Sequence, residues 1–184
     1  MKQYLITDPQ YYNNFELTLN NALKEHQPEF ACFRDKRQIN HDEKVHSFIK
    51  IGRKFKDTKL IIHSHLELAI KYKSDGLHVA SSDFKAIEHA KDKNLFVVAS
   101  THSIKEAQIA VKLGADAITF SPIFATPGKS EPVGLVKLKE IIDIIGAPIF
   151  ALGGIITDAQ ISALEEVEPY GFASIRYFLP KESS

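Results

Sequence analysis

Apolar residues fall into short blocks that return about every 20 residues along the chain. In order they are Gln3–Thr7, Phe30–Arg34, Leu60–His63, Leu77–Val79, Leu95–Ser100, Ala117–Ser121, Pro148–Leu152 and Gly171–Ile175. Most are nearly continuous in apolar character, the pattern of parallel strands covered on both faces. Helical periodicity fills the gaps. Phe15, Leu17, Leu19 and Leu23 suit a first helix, and Val45, Phe48, Ile49 and Ile51 a second. Leu66, Leu68, Ala69 and Ile70 suit a short third, and Phe84, Ile87 and Ala90 a fourth. Ile104, Ala107, Ile109, Val111 and Leu113 follow, then Leu135, Leu138, Ile141, Ile142 and Ile145, and finally Ile161, Leu164 and Val167.

Eight strands alternating with helices predict a (β/α)8 TIM barrel in one domain over residues 1–184. Lys-Ser-Asp-Gly-Leu-His-Val at 73–79 resembles Leu-Gly-Ala-Asp-Ala-Ile-Thr at 113–119, each a helix end running into a strand. The chain is short for this fold. After the last strand only Tyr177–Ser184 remains, so the barrel is expected in a short form with a truncated last helix. An open, doubly wound sheet of six to eight strands is the alternative.

Composition narrows the partners. Lys plus Arg and Asp plus Glu balance at 23 each, which argues against a nucleic acid or a membrane surface held by bulk charge. The single cysteine, Cys32, rules out an internal disulfide and a multi-cysteine zinc site. No apolar run is long enough to span a bilayer, and MKQYLITDPQ lacks the apolar stretch of a signal peptide, so a cytoplasmic protein is expected. Whether it forms a homo-oligomer is not legible.

In a barrel the ligand lies on the loops that follow the strands. Those positions carry Arg34-Asp35-Lys36-Arg37, His63-Ser64-His65, Ser81-Ser82-Asp83, Ser100-Thr101-His102, the segment from Ser121 to Lys129, Gly153-Gly154-Ile155, and Arg176. Cations, hydroxyls and glycines at one end suit a phosphate or pyrophosphate. Gly153-Gly154 lets the backbone approach an oxyanion, or serves only a tight turn. Arg34 and Lys36 converge on an anion, or make a rim salt bridge to Asp35 or Glu67. Lys129 closes over an anion as a point charge, or is an ordinary solvated lysine. His63, His65 and Asp83 clamp a metal, or the histidines are polar rim residues. His78 reads as a satisfied core histidine and Cys32 as a packed, inert thiol.

These motifs resemble the thiamine-phosphate synthase and TenI-type thiazole tautomerase superfamily over nearly the whole chain. The resemblance rests on Tyr4-Leu5-Ile6-Thr7-Asp8, Phe33-Arg34-Asp35-Lys36, Leu66-Glu67-Leu68-Ala69, Asp75-Gly76-Leu77-His78-Val79, Ser100-Thr101-His102-Ser103 and Gly114-Ala115-Asp116-Ala117. Its most specific parts are Ser121 through Lys129 and Ala151-Leu152-Gly153-Gly154-Ile155.

The resemblance implies a thiamine-synthesis barrel that joins hydroxymethylpyrimidine diphosphate to thiazole phosphate and releases pyrophosphate with Mg2+. It implies that Arg34, Lys36 and Lys129 bind pyrophosphate, that Asp83 is a Mg2+ ligand, and that Ser100 touches the reacting groups. Thr126 would contact the thiazole phosphate, with Gly154 and Ile175 as backbone donors and His63, Gly153 and Arg176 beside them. Several positions depart from the family pattern. Cys32 replaces a Gln, and His63-Ser64 replaces Asn-Asp, so one metal carboxylate is gone. Gly128 replaces a Thr, Arg176 replaces a Ser, and Pro122 stands where the TenI branch has its proposed catalytic His. The helix that the resemblance places before the first strand has no counterpart. A divergent synthase is the first expectation. A tautomerase using His63, His65 or His102, or a non-catalytic binder of thiazole or thiamine phosphate, stands beside it.

Overall fold

The structure is a computed structural model and describes residues 1–37 and 41–180. Eight parallel strands close into a barrel: β1 (Lys2–Ile6), β2 (Phe30–Phe33), β3 (Lys59–His63), β4 (Gly76–Val79), β5 (Phe96–Thr101), β6 (Ala117–Phe120), β7 (Ile149–Leu152) and β8 (Gly171–Ser174). Closure is set by β8, which pairs with β7 through Leu152 and Ala173 and with β1 through Tyr4 and Ala173. The open sheet is thereby excluded.

Among the described residues seven helices alternate with the strands: α1 (Phe15–His26), α2 (His41–Gly52), α3 (Leu66–Lys71), α4 (Lys85–Lys91), α5 (Ile104–Lys112), α6 (Gly134–Ile144) and α7 (Asp158–Glu165). Among the described residues β8 is followed by one 3-10 turn, Arg176–Phe178, whose buried Phe178 stacks on Phe172. No helix among the described residues is long and apolar enough to cross a membrane.

Strand side chains alternate between two cores, as a period of two requires. Tyr4, Ile6, Phe30, Cys32, Ile61, Val98, Phe150 and Ala173 fill the barrel interior. Leu5, Ala31, Phe33, Leu60, Ile62 and Val97 pack outward against the helices. Three apolar positions of the predicted helices face solvent instead: Leu17 is 57% exposed, and Ile70 and Ile109 are each 40% exposed. At 100° per residue, Leu17 lies 200° from Leu19, and Ile109 lies 200° from Ala107, so both cannot turn inward together.

The N-terminal end of the barrel is stapled by acids just ahead of even-numbered strands. Glu29 accepts the Gln3 N–H at 2.8 Å, Asp75 the Leu60 N–H at 2.7 Å, and Asp116 the Val97 N–H at 2.7 Å. Each carboxylate also meets a cation: Lys2 on Glu29, Arg53 on Asp75 and Lys91 on Asp116. Asp75 and Asp116 are the aspartates of the two similar segments in the sequence. Their repetition is structural.

Candidate active site

Arg34 leaves the end of β2, and its Nη1 lies 2.6 Å from the carboxylate of Asp8, just past β1. The Arg34 N–H also donates to Thr7 Oγ1 at 2.9 Å, fixing where the guanidinium departs. Lys36 follows in the next turn and Lys129 comes from the loop after β6; neither has an ion-pair partner among the described residues. The Lys36 ammonium sheds its proton more readily than a free lysine, first because of Arg34, then because of burial and Lys129, with Asp8 opposing. Three cations thus share one region with a single carboxylate among them.

The alternative bridge from Arg34 or Lys36 to Asp35 or Glu67 does not form. Asp35 turns outward to Lys44 at 2.8 Å and to Arg37. Burial works to raise its carboxyl, but the bonds from Lys44 and Arg37 outweigh it and hold the pKa at about 2.

A polar chain crosses the upper barrel beneath these cations. Tyr4 Oη lies 2.9 Å from His78 Nδ1, and His78 Nε2 lies 2.9 Å from Ser100 Oγ. His63, at the end of β3, is the ladder partner of His78, with ring centroids 5.3 Å apart. Burial, then Arg34, Lys36 and His65, push the His63 imidazole down to about 4, so it is neutral at neutral pH. His78 is lowered by burial, then by His63 and Arg34. Cys32 is buried, and burial pushes its thiol up to about 12, the inert thiol expected.

The metal clamp of His63, His65 and Asp83 is not assembled. Ser64 has φ +61°, which breaks the strand, so His65 turns to the start of α3 and packs edge-on against His41 at 4.5 Å. Asp83 is exposed in the loop after β4, and its carboxylate has no partner among the described residues. Among those residues, no three His, Cys, Asp or Glu side chains gather as metal ligands. Asp83 would offer Mg2+ one carboxylate oxygen donor, the rest of a near-octahedral shell falling to substrate phosphates and water.

Across the mouth, Gly153 (φ +102°) and Gly154 (φ +69°) follow β7. A Cβ on Gly154 would sit 2.5 Å from Ala125 O, and one on Gly153 2.8 Å from Pro122 Cα. Both glycines are therefore demanded by the loop after β6, which bonds back through Ile123 N–H to Leu152 O and Phe124 N–H to Gly153 O. Among the described residues, the N–H groups of Gly153, Gly154 and Ile155 donate to no protein acceptor. The turn that requires the glycines is thus the same piece of backbone that leaves these N–H groups unpaired among the described residues. Thr126 is half-buried beside it and donates to Phe124 O at 3.0 Å. Ile175 and Arg176 are half-buried just past β8, Arg176 without an ion pair among the described residues. His102, exposed, lies against Ser121 with Nδ1 3.0 Å from its carbonyl oxygen.

The family model described as thiamine monophosphate synthase matches residues 3–177. The chain belongs to the thiamine monophosphate synthase family. It is 34% identical over 184 residues to a protein of Aquifex aeolicus named putative thiamine-phosphate synthase 2, covering 96% of each chain. It is 30% identical to the thiamine-phosphate synthase of Desulfitobacterium hafniense, covering 97% of this chain and 89% of that one. Among solved structures, thiamine phosphate pyrophosphorylase from Pyrococcus furiosus superposes with TM-score 0.83 at 26% identity, covering 95% of this chain and 85% of that one.

Within this thiamine monophosphate synthase family chain, two elements of the site escaped reading from residue types alone. Asp8 stands in a quoted motif, but its pairing with Arg34 needs β1 and β2 side by side. The link from Tyr4 through His78 to Ser100 joins residues 74 and 22 positions apart, which no local pattern connects.

Proposed function

We propose that this chain joins hydroxymethylpyrimidine diphosphate to thiazole phosphate, releasing pyrophosphate. The observation that carries this reading is the convergence of Arg34, Lys36 and Lys129, whose positive charge, with burial, lowers the proton affinity of Lys36 against the opposing pull of Asp8. An arriving diphosphate would neutralise that excess of positive charge. In the reaction, the C–O bond between the pyrimidine methylene and the diphosphate breaks, and its electron pair leaves with pyrophosphate. The thiazole nitrogen then forms a C–N bond to the resulting cation. Arg34, Lys36 and Lys129 hold the departing charge, which is electrostatic catalysis. Gly153, Gly154, Thr126, Ile175 and Arg176 hold the thiazole phosphate opposite. Ser100 and His63 border the space between them. Asp83 is assigned no catalytic step.

The deciding experiment incubates purified protein with both substrates, with and without Mg2+, and measures thiamine phosphate and pyrophosphate. Equal amounts of the two support the reading; neither product in either condition overturns it. A second reading has one observation in its favour, the neutral imidazole of His63 in the mouth, which is a ready proton acceptor. It is a thiazole tautomerase, and isomerisation of thiazole carboxylate phosphate without Mg2+ would select it.

A further inference from the structure

The buried chain formed by Tyr4, His78 and Ser100 does more than satisfy polar groups. Tyr4 is fully buried and its phenol is held protonated, chiefly by burial, so its O–H needs an acceptor. Two acceptors are near: the sulfur of Cys32 and, at 2.9 Å, His78 Nδ1. An imidazole nitrogen is much the stronger acceptor. Donation from Tyr4 to Nδ1 leaves the single proton of a neutral imidazole on Nε2. That N–H then donates to Ser100 Oγ at 2.9 Å. Ser100 is half-buried at the end of β5, and its hydroxyl has no other partner among the described residues. With its oxygen already accepting from His78, its own hydrogen is left for another acceptor. Arg34 lies close enough to act on both His63 and His78, so the mouth beside Ser100 is a positive one.

We propose that Tyr4 and His78 are positioning residues that fix Ser100 as a hydrogen-bond donor aimed at an anionic oxygen of the bound diphosphate. This rests on the functional reading above for the identity of the anion, but not for the direction of the relay. The groups facing His78 are Tyr4, His63, Cys32 through Tyr4, and the more distant Arg34. None is a carboxylate that would stabilise an imidazolium.

The direction is read by nitrogen NMR of the His78 ring. A neutral ring with its proton on Nε2 at neutral pH is expected. A proton on Nδ1, or a doubly protonated ring, overturns the proposal. The consequence is read by calorimetric titration with inorganic pyrophosphate. Ser100→Ala should weaken it about tenfold or more, the loss of one bond to a charged group. In His78→Gln the amide nitrogen falls near the place of Nε2 and still reaches Ser100; in His78→Asn it falls near Nδ1 and does not. Both lose part of the buried chain, and a melting curve for each checks folding. Affinity close to wild type in His78→Gln, with a loss in His78→Asn matching that of Ser100→Ala, is expected. Equal losses in the two variants would mean a merely structural histidine. A wild-type chain that binds no pyrophosphate overturns the functional reading and the substrate end of this proposal. A wild-type chain that binds it with the Nδ1 proton overturns the relay alone.

Discussion

Arg34 reaches across from the end of β2 to Asp8 at the end of β1, with Nη1 2.6 Å from the carboxylate oxygen. Both side chains are mostly shielded, at 19% and 22% exposure. The pair holds one cation of the rim in place while Lys36 and Lys129 remain unpaired among the described residues. Removing Arg34 therefore has two separable effects. Arg34→Ala should cost about 1–3 kcal/mol of stability, because Asp8 is left shielded and alone. It should also weaken pyrophosphate binding at least about tenfold. Adding Asp8→Asn should return most of the stability and none of the binding. Denaturant melts and calorimetry on the two variants check this.

Anion binding should reverse the electrostatics of the rim. Lys36 and His63 are both lowered in part by neighbouring positive charge. Saturating pyrophosphate should raise both, and Lys129→Ala alone should raise Lys36. NMR titration with and without pyrophosphate reads the change. Binding should weaken as salt rises, since these cations are screened.

Stability should fall with acid in a defined window. His63 has a pKa of about 4 in the fold, below the value of about 6.5 for an unfolded histidine. Between those values the unfolded chain binds more protons, so stability rises with pH there. The contribution is complete above about pH 6.5 and is lost as pH falls toward 4. Its upper bound is about 3 kcal/mol. Replacing His63 with Leu should flatten this part of the pH–stability curve.

Gly154→Ala should damage the proposed phosphate cradle and the loop together. The added Cβ meets Ala125 O at 2.5 Å, and the backbone sits at φ +69°. A loss of about 1–3 kcal/mol is expected, with weaker binding of thiazole phosphate. A melting curve and a titration on the same sample separate this from an unchanged site.

At the opposite end of the barrel, Asp116→Ala should destabilise without touching binding. It removes the acceptor of the Val97 N–H and the partner of Lys91. About 1–3 kcal/mol is expected, with pyrophosphate affinity unchanged.

The barrel was legible in the sequence because its signal is local. Every strand is a short apolar block, and its burial on both faces is written into consecutive residues such as Leu60–His63 and Ala117–Phe120. The loop positions of Arg34, Lys129 and Gly153 followed from that order, since strand ends in this fold share one rim. The metal clamp failed because Ser64 takes a left-handed turn, which spacing alone does not reveal. The proposed rim bridge of Arg34 failed because its partner lies 26 residues back in the chain.

What the sequence determined alone is the alternation of elements and the collection of cations at strand ends. These depend on short apolar blocks and on a helical period of about 3.6, properties of neighbouring residues, whereas which face of each strand turns inward was decided by the closed barrel. Closure, the pairing of Arg34 with Asp8 and the Tyr4, His78 and Ser100 chain were decided by tertiary structure. Each depends on which strands become neighbours, and on hydrogen bonds a few ångströms long between residues far apart in sequence.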